Sequence, residues 1–167
     1  MIELNYWIIP IAGLVPMIVG FIWYHPKVMG TTWMNVAGMT EEKIKGGNMP
    51  LIFGVSFIMA CMLASAILQM VIHQLGFQSM LMNQPGFGEE GTEVMVFFQD
   101  AMTKYGQDFR TFKHGVLHGV LAGLFFALPI LATNSLFERK GWKYILVNSG
   151  YWLITLGIMG GVICQFA

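Results

Sequence analysis

Four long stretches of this chain carry no charged side chain: Tyr6 to Tyr24, Leu51 to Leu75, Gly115 to Phe137 and Tyr144 to Ala167. A helix needs roughly 20 mostly apolar residues to cross about 30 Å of hydrocarbon, and each stretch reaches about that length. Inside hydrocarbon every backbone polar group must be satisfied within its own segment, so uncharged tracts of this length predict helices. The expected fold is all-α: one polytopic membrane domain over residues 1–167, with four transmembrane helices near 6–24, 51–75, 115–137 and 144–167. Composition agrees. With 56% hydrophobic and 11% charged residues and a mean hydropathy of +0.63, the chain has too little polar surface to cover a water-soluble domain of its size. The lipid bilayer is the first expected partner.

The first tract lacks the basic leader and small-residue cleavage site of a secretory signal; Glu3 precedes it and WYHP follows, so it is expected to stay as a permanent helix. Lys and Arg number 9 against 9 Asp and Glu, and they form no cluster of unpaired cations, which excludes a nucleic-acid partner. Cys61 and Cys164 both fall in apolar tracts, where a small soft side chain packs like any hydrophobe. No disulfide is expected between them.

Orientation follows from the basic residues of the connections. One side would hold Lys27, Lys43, Lys45, Arg139, Lys140 and Lys143; the other would hold Lys104, Arg110 and Lys113 among a majority of acidic groups. This bias places both termini and the long connection 76–114 outside, in a multi-pass protein of the bacterial inner (cytoplasmic) membrane. Within that connection NQPGFGEEG reads as a breaker-rich loop. Thr92 can then cap a helix beginning at Glu93 and ended by Gly106. Val94, Phe97, Phe98, Ala101, Met102 and Tyr105 recur on one of its faces, the pattern of an amphipathic helix lying across the ends of the spans or on the membrane boundary. On the inner side Thr40 can cap a short helix, with Glu41 and Glu42 at its start and Lys43 and Lys45 at its end. No phosphate-binding loop, zinc-finger spacing, Ser-His-Asp order or dinucleotide fingerprint occurs.

Two further stretches, FIWYHPKVMGTTWMNVAG and LPILATNSLFERKGWKYILVNSGYWLITLGIMGGVI, resemble a family of small bacterial and fungal membrane proteins gathered as domain of unknown function seventeen sixty-one. The resemblance rests on Trp23, Tyr24, Pro26, Met29, Gly30 and Trp33 in the first half. In the second half it rests on Asn134, Leu136, Phe137, Glu138, Asn148, Gly150 and Tyr151. It departs at His25, where the family pattern has a small polar residue, and in the long middle insert. The resemblance implies a four-span fold and brings no established reaction.

In lipid the informative side chains are the polar ones, since each needs a partner inside the bundle. Ser65, Gln69 and His73 recur every fourth residue, as do His114 and His118. Antiparallel neighbours would bring His73 to His114 near the outer boundary and Gln69 to His118 one turn deeper. Two readings of this polar seam follow. Either the groups simply bond across the helices, which is the favoured reading, or the three imidazoles hold a transition metal or haem. Asn134, Asn148, Tyr151 and Thr155 form a second polar group towards the inner side. Gly115, Gly119 and Gly123 make a small-residue face about 100° round the helix from the histidines, and Gly157 with Gly161 supplies a similar one on the last span. Such faces let helices approach closely, whether within the chain or between copies. Pro10, Pro16 and Pro129 each remove a helical hydrogen bond and mark possible kinks. Trp7, Trp23, Trp142 and Tyr144 are expected as interfacial anchors.

Three functions compete. The sequence favours a non-enzymatic membrane subunit or scaffold without a cofactor, packing as a homo-oligomer or against another membrane protein. A small dimeric transporter or channel is the alternative, opposed by the lack of any Asp, Glu, Lys or Arg within a span. A histidine-based metal or haem protein is the third.

Overall fold

Proline and glycine decide where the helices of this chain begin, bend and stop. The computed structural model describes residues 2–167. Helix α1 (Ile8–Gly13) passes through Leu14 into α2 (Val15–Trp23), so the first tract is two short segments in place of one continuous span. Pro16 sits in the first turn of α2, where its missing N–H has no helical partner to lose. At the other end of α2, His25 is held extended at φ −65°, ψ 139°, because the ring of Pro26 crowds an α conformation at the residue before it. The chain leaves this break as a π-helical turn over Pro26–Gly30 and continues as α3 (Thr31–Ala37), turned by 60° from the direction of α1 and α2. Gly30 is obligatory there: a Cβ would strike the Tyr24 carbonyl oxygen and the His25 backbone.

Gly38, at φ 67°, ends α3 in the left-handed conformation that glycine adopts without strain. Thr40 then caps α4 (Glu41–Lys45), its hydroxyl accepting from the Lys43 N–H at 3.3 Å. The Glu41–Lys45 ion pair on this helix is fully solvated and adds little. Asn48 caps α5 (Met49–Val71), its side chain accepting from the Leu51 N–H. Ile72, at φ −101°, ψ 89°, breaks the helix, and α6 (His73–Leu81) starts immediately after it. The second span therefore ends four residues earlier than Leu75, and His73 does not continue the helical face of Ser65 and Gln69.

Gly86, Gly88 and Gly91, all at positive φ, carry the following loop. Thr92 precedes α7 (Glu93–Tyr105) but does not cap it with its side chain; the hydroxyl donates instead to the carbonyls of Gly86 and Glu89, fastening the loop. The buried residues of α7 are Met95 and Phe98, whereas Phe97 and Tyr105, expected on the covered face, are exposed. Phe98 stacks on Phe77 of α6 and meets Phe87 edge-on, so α6 and α7 form a small aromatic unit. Helix α8 (Phe112–Ala122) runs through a second π turn, Gly123–Ala127, into α9 (Leu128–Phe137). The π turn lies just before Pro129, where the ring would otherwise collide with the carbonyl four residues back. Helix α10 (Trp142–Phe166) completes the chain, which has no strand among the described residues.

Helix α10 sits at the centre. Half of its most apolar stretch is buried, against 22% for α5 and for the continuous Phe112–Phe137 segment. The core is small-residue packing around it: Ala12, Val15 and Val19, then Ala64, Ile67, Leu68 and Val71, close on Leu156, Met159, Ile163 and Cys164. Three helices are long and apolar enough to cross a membrane, or four if the bent pair Ile8–Trp23 and Pro26–Ala37 counts as one. Residues near both ends of the chain gather at one end of the bundle with α6 and α7. The Ile2 N–H donates to Gln78 Oε1, Asn5 donates to the Phe166 carbonyl, and Arg110 donates to the Ala167 carbonyl.

Candidate metal centre

Local chain geometry brings three histidines together at that end. The break at Ile72 sets His73 as the first residue of α6, while the Thr111 hydroxyl accepts from the His114 N–H and starts α8 so that His114 and His118 project one turn apart. The Nε2 atoms of His73 and His114 lie 2.8 Å apart, one donating and the other accepting. Ring centroids are 4.9 Å apart for His73–His114, 4.9 Å for His73–His118 and 4.5 Å for His114–His118. One ring nitrogen from each residue falls within 4.8 Å of the others. Around a tetrahedral ion with metal–nitrogen bonds near 2.0 Å, ligand nitrogens stand about 3.3 Å apart, so modest side-chain rotations bring this set to bonding distance.

The rest of the expected seam does not join them. Gln69 and Ser65 are exposed; Gln69 makes no side-chain hydrogen bond among the described residues, and Ser65 donates only to the Cys61 carbonyl one turn back on its own helix. The correction comes from Ile72, since breaking the helix there rotates His73 away from the face it would have shared with Gln69. His118, half-buried, is left without a hydrogen-bond partner among the described residues.

Two residues missed in the sequence complete the surroundings. Phe109 has φ 62°, a conformation uncommon for a bulky side chain, and its ring lies 6.1 Å from that of His73 and 5.2 Å from that of His114. Its carbonyl accepts from the Thr111 N–H and the buried Cys164 thiol, which hold the strained turn in place. Gln74, also buried, donates to the carbonyls of Tyr105 and Asp108 and so closes the end of α7 over α6. A cleft of about 270 Å³ lies against the cluster, lined by His73, Gln74, Phe77, Met102, Tyr105 and Phe109. No local motif signals Phe109. Gln74 was within reach, as an uncharged polar side chain at the edge of an apolar tract.

The glycine face of α8 turns towards α10. A Cβ on Gly115 would strike the Gly160 carbonyl oxygen, and one on Gly119 would strike the Leu156 carbonyl. Gly123 lies against the Leu153 backbone, Gly157 against Val120 and Gly161 against the Phe112 ring.

At the opposite end the two halves of the sequence resemblance meet. Tyr24 donates its hydroxyl to Asn148 Oδ1 at 3.2 Å, Trp23 Nε1 donates to the Val147 carbonyl at 3.1 Å, and Tyr151 donates to the Pro16 carbonyl at 2.9 Å. Tyr24 packs on both Trp33 and Tyr151, and Gly150 leaves room for the Trp23 ring. Thr155 is fully buried one turn beyond Tyr151, while Asn134 is exposed and unbonded to this group. Trp23 is therefore a structural tie and no free anchor, in contrast to the exposed Trp7 and Trp142.

The fold and these two clusters define an all-helical protein with three to four helices of membrane-crossing length. A family model described as protein of unknown function (DUF1761) matches residues 7–164, nearly the whole chain, and the chain belongs to that family. No curated protein and no solved structure matches it.

Proposed function

We propose that this chain is a four-pass protein of the bacterial cytoplasmic membrane, both termini outside, which binds a transition-metal ion through His73, His114 and His118 at its outer end. The observation that carries this reading is the convergence of three ring nitrogens within 4.8 Å. Cross-helix bonding alone explains two of these imidazoles and leaves His118 idle, whereas a shared ion uses all three. Neutral imidazole suits zinc, copper, nickel and iron(II) alike. Side-by-side imidazoles from two adjacent helices suit a bare ion better than haem, whose axial ligands approach along the normal to a macrocycle. The six-to-three split of basic residues supports the orientation, and the broadly exposed apolar faces of α5 and Phe112–Phe137 suit contact with lipid.

Metal content of the protein purified in mild detergent tests the reading. Titration with zinc or cobalt(II) gives one equivalent per chain in the wild type, and His73→Ala, His114→Ala and His118→Ala each lose it. His25→Ala, at the other end of the bundle, keeps it. Because the ligands must be neutral and metal competes with protons for them, occupancy falls in acid and rises with pH. Wild type binding no more metal than the triple alanine variant overturns the proposal.

A further inference from the structure

We infer that an ion at this site keeps a coordination position open towards the neighbouring cleft. That position takes a small exogenous ligand with a nitrogen, oxygen or sulfur donor as its head and an apolar body of about one ring. The inference rests on the metal reading above and deepens it. Three protein ligands are one fewer than a closed tetrahedral site uses, and sites of that kind hold water or substrate in the fourth position. Among the described residues no further Cys, Asp or Glu joins the three histidines, and Asp108, which borders the cleft, does not belong to the group.

The cleft decides what the fourth ligand looks like. His73 and Phe109 border both cleft and cluster, so the cleft meets the cluster on its His73 side, while His114 and His118 do not line it. Phe77, Ala101, Met102 and Tyr105 make the rest of the wall mainly apolar. Its volume of about 270 Å³ corresponds to roughly nine waters at about 30 Å³ each, room for a single ring but not for a drug-sized molecule. Phe109 supplies an independent sign. An aromatic residue pinned at φ 62° by a buried thiol and a backbone N–H stores strain where an ordinary turn residue would not. Such outliers gather at ligand clamps. Its ring lines the cleft beside the histidine pair.

The probes are imidazole and 4-phenylimidazole, titrated into the cobalt(II)-loaded wild-type protein in detergent and followed by the visible cobalt absorption. Both share the donor, and only the second has a body to fill the cleft. The expected result is that 4-phenylimidazole binds about tenfold more tightly, the yield of burying part of one aromatic ring. Met102→Trp and Ala101→Phe, which fill the cleft, abolish the preference for 4-phenylimidazole over imidazole. Methyl-¹³C labelling reads the same contact without altering the wall: the Met102 resonance shifts with 4-phenylimidazole and stays in place with imidazole. Equal affinities in the wild type, an unmoved Met102 methyl, or a preference that survives in either folded filled variant overturns the inference while leaving the metal site standing. Failure of cobalt to bind at all overturns the metal reading and this inference with it.

Discussion

Substituting Gly119 by alanine, the smallest possible change, tests the closeness of the α8–α10 contact. A Cβ at this position meets backbone: the Leu156 carbonyl lies in direct collision and the Gly157 Cα stands 2.9 Å away, where ordinary contact begins near 3.4 Å. Backbone cannot swing aside as a side chain does, so relieving the collision with the Leu156 carbonyl forces α8 and α10 apart by about 1 Å or more along a shared face that includes Gly115 and Gly160. Overpacking of this kind costs about 1–3 kcal/mol, and rigid backbone against backbone puts the cost near the top of that range. Alanine returns about 1 kcal/mol through its better helix propensity, which leaves a net loss of about 2 kcal/mol. At about 2–4 °C per kcal/mol for a chain of this size, the midpoint of thermal unfolding falls by about 4–8 °C. Gly54 on α5 is the control, because a Cβ there meets nothing within 4 Å. Gly54→Ala keeps only the propensity gain and holds or raises the midpoint by about 2–4 °C. Circular dichroism melts of both variants in the same mild detergent decide the matter. A Gly119→Ala midpoint equal to or above that of Gly54→Ala refutes the close contact. Leucine at Gly119 only enlarges an effect that alanine already produces.

Tyr24→Phe removes the hydroxyl that reaches Asn148 and costs about 1 kcal/mol, read as a fall of about 2–4 °C in the same melts; an unchanged midpoint removes this bond from the account of that end of the bundle. In a background lacking Cys61 and Cys164, a cysteine at the exposed Glu90 labels with an impermeant thiol reagent in intact cells and one at Gly141 does not. The reverse pattern inverts the proposed orientation. Glu90 is preferred to nearby Gly88, whose φ of 94° would strain any side chain.

The helices were legible because charge is costly in an apolar setting: the uncharged tracts alone located α5, the Phe112–Phe137 segment and α10 to within a few residues. Capping residues were legible where the side chain can reach only its own turn, as at Thr40. Thr92 failed as a cap because its hydroxyl found carbonyls in the preceding loop, a choice that depends on how Gly86 bends the chain. Met95 escaped the amphipathic pattern of α7 for a related reason: the covered face is set by where Phe77 and Phe87 lie, and helical periodicity fixes only the spacing of the stripe. The candidate site divides in the same way. His114 and His118 announce themselves by four-residue spacing on one helix. His73 reaches them only through a break at Ile72, which no proline or glycine marks, so Gln69 was assigned a place it does not occupy. Phe109 is invisible in sequence, since its left-handed turn is held by the nearby Thr111 amide together with a thiol that α10 brings from far along the chain.

The central place of α10 has a consequence for how the chain is made. This helix touches α1, α2, α3, α5, α8 and α9, yet it leaves the ribosome after all of them. Contacts between α1 and α5 can form early, giving a first hairpin, but the glycine face of α8 has no backbone to meet until residues near Leu156 and Gly160 have been synthesised. Translation therefore delivers two hairpins in succession, and tertiary assembly waits for the second. A ribosome stalled before Trp142 would hold a chain whose apolar segments have no centre around which to close, leaving exposed the surfaces that α10 covers in the finished fold.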